Sequence, residues 1–529
     1  MAKQRRDELA AYTFARKRTV AAFLAPSPGG SEEGAPRPVR TVMPSLAVGV
    51  VLVIGFIAWG VIKPTAPKGW DTPGEHIIVD SDSTTRYVVL DPNPKDSKVE
   101  KVLHPVLNYA SAKLLLDKGK GSVLEVPGKE IDKSGIRHGA TVGIPYAPDR
   151  LPSKDDAEKP KTWAVCERPA PGSQGALDRA VFVFDADDAK SLANAGKVDS
   201  REALYVEDTR TEKRYLVDGR GNRFELGGES DLDEVAMEQL RSAVIGSSTT
   251  AEPQPVSQEW LNTLNKGTDI TFPEVPGDGD PTNVQGLPGV TTVGQVLRAQ
   301  DAQREQYYVV LKDKVAAVTP FVANLLFARD GDTPVKVNTP QIVEANKGGA
   351  TRFYANTGWP EDVPRQANAA ATASGEAGMT SCSVYKGGFG ADKKPELAAW
   401  AGTNYPKKVI TDSLSAYVSS GSGLLFQEVT GSAGGGGAVY LLTDTGLRYS
   451  LPASNDSEAK DSAGDASSSS SSSSSSGSSE GGASETDKAR TRLGYEDLAK
   501  PAIVPQTWAT FIPKGPTLDT TSASQPQSQ

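Results

Sequence analysis

Apolar positions fall into three regimes along the chain. Close to the start lies one unbroken run: 22 residues without a charge stand between Arg40 and Lys63. A helix of that length matches a hydrocarbon core of about 30 Å at about 1.5 Å per residue. Pro44 stands in its first turn, where a helix tolerates proline. Trp59 and Trp70 fall at or just beyond its far end, where indoles suit a membrane interface. The run is longer than the apolar part of a secretion signal, and it exits through Lys63-Pro64-Thr65-Ala66-Pro67, a poor cleavage site. The pattern therefore predicts a retained transmembrane helix over 42–62. Before it, the spacing predicts a helix over 7–24. Leu9, Tyr12, Val20, Phe23 and Leu24 gather on one side of a helical wheel, and Asp7 and Glu8 suit its start. Arg16 interrupts the apolar face and Phe14 lies off it. Two readings stay open: a helix lying on the inner membrane surface, or a docking helix for a cytoplasmic partner.

Beyond residue 83 the pattern changes to short strands. Four strings are alike: "TTRYVVLDPNPKDSKVEKVLHPVLNYASAKLLL" from Thr84, "EKRYLVDGRGNRFELGG" from Glu212, "REQYYVVLKDKVAAVTPFVANLLFA" from Arg304 and "GAVYLLTDTGLRYSLP" from Gly437. Each carries a tyrosine, a β-branched or leucine pair, a polar or glycine turn and a second apolar run, which is hairpin grammar. His104-Pro105 and Thr319-Pro320 then read as helix entries. Tyr87, Tyr215, Tyr308 and Tyr440 are spaced 128, 93 and 132 apart. A propeller or solenoid would keep a fixed short period; this spacing suggests four small domains with unequal insertions. The long gaps after the first and third strings each hold one cysteine, and together they are expected to build one shared central module.

The boundaries follow: a cytoplasmic arm 1–41, the transmembrane helix 42–62, a linker 63–83, repeat 1 over 84–120, the first half of the core over 121–198, repeat 2 over 199–250, repeat 3 over 251–336, the second half of the core over 337–430, repeat 4 over 431–518 and a disordered tail 519–529. Within repeat 4, residues 453–486 form a Ser-rich tract with ten consecutive serines, which cannot bury apolar area and reads as a disordered insertion.

Charge orients the chain. Residues 1–41 hold eight Lys/Arg against four acids, a balance of +4, while the whole chain is −9, so the remainder carries −13. Positive residues stay on the cytoplasmic side, which puts the N-terminus inside and the large C-terminal part outside. The inner balance also suits contact with anionic membrane lipid. The acidic exterior argues against nucleic acid as a partner, since phosphate contacts need clustered cations. Outside the membrane the only two cysteines, Cys166 and Cys382, read as a disulfide; two buried free thiols are the alternative.

Candidate chemistry is sparse. The histidines are His76, His104 and His138, and no H-E-x-x-H or C-x-x-C occurs. "GSVLEVPGKE", Gly121 to Glu130, has the wrong spacing for a phosphate loop, and Lys129 is followed by Glu130 rather than Ser/Thr. It reads as a turn. No catalytic, cofactor-binding or metal residue is assigned, and no cofactor is expected.

"RRDELAAYTFARKRTVAAFL", "EEGAPRPVRTVMP", "WGVIKPTAPKGWD" and "STTRYVVLDP" together resemble EccB, a core membrane component of the actinobacterial type VII (ESX-type) secretion system. The resemblance implies an α+β fold: a cytoplasmic N-terminal helix, one transmembrane helix, and an extracytoplasmic domain of four small α/β repeat domains around a central β-rich core. It implies that Cys166 and Cys382 match the family's bridge. It also implies a scaffold that assembles with the EccC ATPase, EccD, EccE and further EccB copies. ATPase activity has been credited to some members; no Walker motif supports it in this sequence. An extracytoplasmic cell-wall-binding module and, more remotely, a membrane-anchored nucleotide hydrolase are the alternatives.

Overall fold

The computed structural model describes residues 2–24, 39–62, 66–93, 100–170, 176–194, 196–245, 251–301, 304–331, 333–346, 351–369, 380–409, 416–430, 437–452, 485–496, 498 and 501–527. The Ser-rich insertion expected over 453–486 lies outside them, apart from its last two residues. The chain divides into Met1–Lys68 and Gly69–Gln529.

In the first unit, α1 spans Ala2–Leu24 and α2 spans Val39–Ile62. The first starts five residues ahead of the expected Asp7. Leu9, Tyr12, Phe14, Val20, Phe23 and Leu24 are all exposed along it. Thr13 and Thr19 donate to the carbonyls of Leu9 and Ala15, one turn back. Side chains of α2 are described over 43–56 only, an uncharged stretch exposed throughout. Among the described residues no helix is long and apolar enough to cross a membrane.

The second unit starts with a module of strands β1 His76–Asp80, β2 Arg86–Leu90 and β3 Val102–Pro105, an antiparallel meander. Helix α3, Tyr109–Leu115, leads to β4, Ser122–Val126, which returns parallel to β1. A short helix α4, Gly128–Lys133, then leads to β5, Arg137–His138, parallel to β3. After α5, Lys154–Ala157, come β6 Thr162–Pro169, β7 Leu177–Phe184 and α6 Lys190–Asn194.

A second module repeats the first: meander β8 Glu202–Asp208, β9 Arg214–Asp218, β10 Asn222–Glu225; helix α7 Glu234–Val244; edge strand β11 Gln254–Val256; short helix α8 Gln258–Leu261; edge strand β12 Asn265–Lys266. The third does so again: β13 Val296–Asp301, β14 Arg304–Val310, β15 Val315–Val318, α9 Pro320–Asp330, β16 Val335–Val337, α10 Thr339–Ala345, β17 Thr351–Arg352. Strand β18, Arg365–Gln366, reaches back to β8. Strands β19 Thr380–Phe389, β20 Pro395–Gly402 and β21 Ala416–Val418 join β6 and β7 in a sheet of order β20-β19-β6-β7-β21. The fourth module closes the chain: β22 Leu424–Val429, β23 Val439–Leu442, β24 Arg448–Leu451, α11 Glu485–Leu493, β25 Ala502–Pro505 and α12 Gln506–Ala509. Here Lys514 pairs in parallel with Arg448 where the other modules place their last edge strand. Helix α13, Thr520–Ser524, follows.

Local chemistry explains the shared turns. Asp80 and Asp208, both buried, open equivalent hairpins. Each carboxylate takes a backbone N–H two residues on, from Asp82 or Arg210, and a hydroxyl three residues on, from Ser83 or Thr211. Thr84 and Glu212 follow at φ of 60° and 57°, the left-handed conformation that lets the loop close. Helix α9 starts on Thr319, whose hydroxyl accepts from Val322 N, with Pro320 at N1, and it stops at left-handed Gly331.

Several expected boundaries shift. Repeat 1 over 84–120 omits β1 on one side and β4 to β5 on the other, so most of 121–198 up to the start of β6 belongs to the first module, not to the core. Residues 254–266 complete the second module rather than opening the third, the third runs on to Arg352, and the fourth begins at Leu424. The common cause is the parallel edge strand: it is two to five residues long and its partner is remote in sequence, so it leaves no alternating pattern. His104 is not in a helix entry. It lies in β3, and the cap of α3, Asn108, comes four residues later. Residues 519–527 are not a disordered tail. Asp519 caps α13, Ala523 is buried, and Gln527 donates from its backbone N–H to Thr141 O at 2.8 Å and from its side chain to Gly143 O at 2.6 Å.

Candidate functional site: the central sheet and its joints

Alternation along β6 and β7 divides the central sheet into two apolar faces. Trp163, Val165, Val181 and Val183 enter one core with Leu204 and Val217 of the second module and Phe426 and Leu442 of the fourth. Ala164, Cys166, Phe182 and Phe184 enter a second core with Cys382 and Trp400. The third module instead packs through α9 against the other face of the second, beside α7. The first packs through Ala110 and Leu114 of α3 against the other face of the fourth.

Cys166 and Cys382 are opposite one another on β6 and β19, both fully buried, with Cα atoms 4.0 Å apart and a disulfide between them. The bond joins strands that are 216 residues apart in sequence.

The next residue faces the other way. Glu167 is fully buried, and its carboxylate has three partners: Arg179 Nε at 2.7 Å, Ser257 Oγ at 2.7 Å and Ser257 N at 2.8 Å. Ser257 is also the cap of α8, accepting from Trp260 N at 3.1 Å. Arg179 donates to Ser257 Oγ at 2.7 Å, and its guanidinium carbon lies 5.0 Å from the ring centroid of Phe511 in the fourth module. A buried carboxylate is tolerated only when satisfied in this way. Nearby, Gln254 donates to Glu167 O and Trp260 Nε1 to Val165 O, at 3.1 and 2.9 Å. Buried Asn368 donates to Tyr205 O and accepts from Tyr205 N, at 3.0 and 2.9 Å.

The fourth module is held by Trp508, 5.7 Å from Tyr385 between ring centroids, and by the Tyr385 hydroxyl, which donates to Ile503 O at 2.7 Å. Burial raises the Tyr385 pKa strongly, so the phenol keeps its proton and remains a donor. The segment entering the central sheet is tied here as well. Asp156 accepts from Lys161 at 2.6 Å, Gly423 N at 2.7 Å and Ser422 Oγ at 3.0 Å. Burial pushes the Asp156 pKa up, but the lysine ammonium and the other donors outweigh it, and the net shift is downward. Gly423 is required by the approach: a Cβ there would lie 2.5 Å from Leu442 O and 2.6 Å from Pro152 Cγ. On the opposite face Asp188 accepts from Lys407, Tyr417 and Ser419 at 2.9, 3.0 and 2.7 Å, and the Lys407 bond leads the causes that lower its pKa. Tyr405 is pushed up to about 12 by burial, with the Arg168 guanidinium 4.5 Å from its ring centroid.

The residues weighed for catalysis lie elsewhere. His76, His104 and His138 occupy three strands of the first module, and Lys129 lies in α4 at its edge. Among the described residues no three His, Cys, Asp or Glu side chains gather as a metal site would require. The arrangement around the central sheet performs mechanical chemistry: a covalent link, buried ion pairs and indole plugs fix separate modules in one orientation. The glutamate after Cys166 and the Ser257 cap gave no sequence signal that separates them from surface residues. The edge helices did leave one, a valine, a cap residue and a buried apolar residue four positions after the cap, in all four modules.

The family described as "Type VII secretion system ESX-1, transport TM domain B" matches residues 2–528. The chain belongs to this EccB family. Curated EccB relatives include the ESX-5 secretion system ATPase EccB5 of Mycobacterium marinum, 29% identical over 346 residues, 64% of this chain and 62% of that protein. The ESX-1 secretion system ATPase EccB1 of Mycolicibacterium smegmatis is 29% identical over 311 residues, 58% of this chain and 57% of its own. The chain thus aligns with about three fifths of these relatives' length. Among solved structures, a chain of an intact ESX-5 inner membrane complex matches with TM-score 0.55 and 20% identity over 99% of this chain and 95% of its own. An EccB3 dimer from the ESX-3 core complex gives TM-score 0.55 and 20% identity over 85% of this chain and 99% of its own. At that identity the likeness speaks for the mixed α/β EccB fold.

Proposed function

We propose that this EccB chain is a structural scaffold subunit of a type VII (ESX) secretion membrane complex, supporting protein export across the inner membrane. The family match over residues 2–528 carries the reading. The jointed second unit supports it, since a body held by buried ion pairs and a disulfide can keep neighbours in register. In this reading residues 42–62 span the membrane once, the N-terminal arm is cytoplasmic, and residues from 63 onward are extracytoplasmic, where the Cys166–Cys382 bond persists oxidised. The four modules of shared strand order are repeats of one unit around the central sheet. The partners are the EccC ATPase, EccD, EccE and further copies of this chain, consistent with the complex and the dimer in which similar chains were solved. Blue native electrophoresis of detergent-solubilised membranes tests the proposal. A large assembly containing the chain is expected, and a single species of monomer mass would overturn it. Purified full-length chain is further expected to show the same background rate of ATP hydrolysis before and after Lys129→Ala, and a fall in turnover on that replacement would count against the reading.

A further inference from the structure

The four edge helices are equivalent, and their caps set the register. Pro127, Ser257, Asn338 and Pro505 are the N-caps of α4, α8, α10 and α12. Each follows the last or next-to-last residue of a parallel edge strand, Val126, Val256, Val337 and Val504. Four positions after the cap stand Ile131, Leu261, Ile342 and Ala509, all buried, Leu261 and Ala509 within the core shared with the central sheet. One position earlier, at N3, the modules part. The second and fourth carry Trp260 and Trp508, both without exposure. The first and third carry Glu130 and Gln341, which keep partial exposure and make local bonds, Glu130 to Lys133 and Gln341 back to its own cap.

This division coincides with the architecture. The modules with tryptophan at N3 share the core that lies on one face of the central sheet. The modules with a polar residue there pack on the far sides of the second and fourth instead. Each indole also meets the central sheet directly: Trp260 Nε1 donates to Val165 O on β6, and Trp508 stacks at an angle on Tyr385 of β19. The edge strands add further tethers, from Gln254 to Glu167 O, from Ser381 Oγ to Gln254 Oε1 and from Tyr385 OH to Ile503 O.

We infer that the N3 residue of the edge helix is the specificity determinant for module docking: an indole seats its module on the central sheet, and a carboxylate or amide keeps its module off it. Four copies of one topology would otherwise compete for two seats on one apolar face. A polar N3 side chain buried there would be desolvated without a partner, which excludes the first and third modules.

The test is hydrogen exchange on the full-length detergent-purified chain carrying Trp260→Gln, the N3 choice of the third module. Amides of β11, α8 and the facing strand β6 are expected to exchange at least about tenfold faster, while β9 and α7 stay protected through the second module's other core. Trp260→Phe, which restores an apolar plug without the Nε1 donor, is expected to recover most of the protection. Gln341→Ala should leave the central sheet unchanged. Unaltered exchange in Trp260→Gln would overturn the inference. So would uniform loss of protection across the whole second module, which would make Trp260 an ordinary core residue.

Discussion

Cys166 and Glu167 are neighbours with opposite tasks, because successive side chains of a strand point to opposite faces. The cysteine closes a covalent link across a separation of 216 residues, and the entropy removed from the unfolded chain sets an upper, model-dependent stabilisation of about 5 kcal/mol. Cys166→Ser is expected to lower the melting temperature by several degrees in non-reducing buffer; scanning fluorimetry checks this, and dithiothreitol should narrow the difference. Arg179→Ala should cost about 2–4 kcal/mol in denaturant unfolding, since it removes one charged partner of a buried carboxylate and leaves Ser257 to satisfy it. Asp156 adds a pH dependence. Its folded pKa is lowered, so its contribution is complete above the ordinary carboxylate value of about 3.9 and is lost as pH falls through the depressed one. Asp156→Asn should therefore destabilise at pH 7, and the gap to wild type should close in acid, a comparison made by unfolding curves at both pH values. Only the cysteines were legible in the sequence: a lone pair read as lying outside the membrane has few alternatives, whereas one carboxylate among 66 acidic residues has no distinguishing mark.

Meanders were the legible elements. Each anchor tyrosine lies on the middle strand of its meander, Tyr87 on β2, Tyr215 on β9, Tyr308 on β14 and Tyr440 on β23. Antiparallel neighbours joined by short turns write their pairing into adjacent sequence. Parallel edge strands do not, so hairpin grammar alone misses where each module ends. The C-terminal segment hides its structure for a similar reason. "TLDTTSASQPQSQ" is polar, yet Leu518 and Ala523 are buried and Pro526 pairs with Val142 of the first module. It straps the fourth module to the first. Deleting residues 519–529 is expected to raise amide exchange in α3 and around residues 141–144 without loosening β22 and β23, and equal protection in the deleted chain would show the strap to be dispensable.

At the scale of the molecule, the shared apolar cores run from the first module to the fourth, to the central sheet, to the second, to the third. Chain order differs: the central strands β6 and β7 come before the second module, and β19 to β21 after the third. The central sheet therefore cannot form until most of the chain exists, and the disulfide then fixes a pairing with high loop-closure cost. Folding of the second unit should accordingly show the central sheet protected last. Pulsed hydrogen exchange during refolding, with the thiols kept free until the end, would reveal β6 and β19 lagging behind β1–β2 and β13–β14.

The sequence alone determined the local and the additive: the apolar run, the charge asymmetry, the hairpins, the two thiols and the family resemblance. These depend on neighbouring residues or on totals, which a linear string contains. Tertiary structure decided which modules sit on the central sheet, where each module ends, and what satisfies Glu167. Those outcomes depend on which surfaces meet, and burial acquires its cost or benefit only when a partner from elsewhere in the chain arrives.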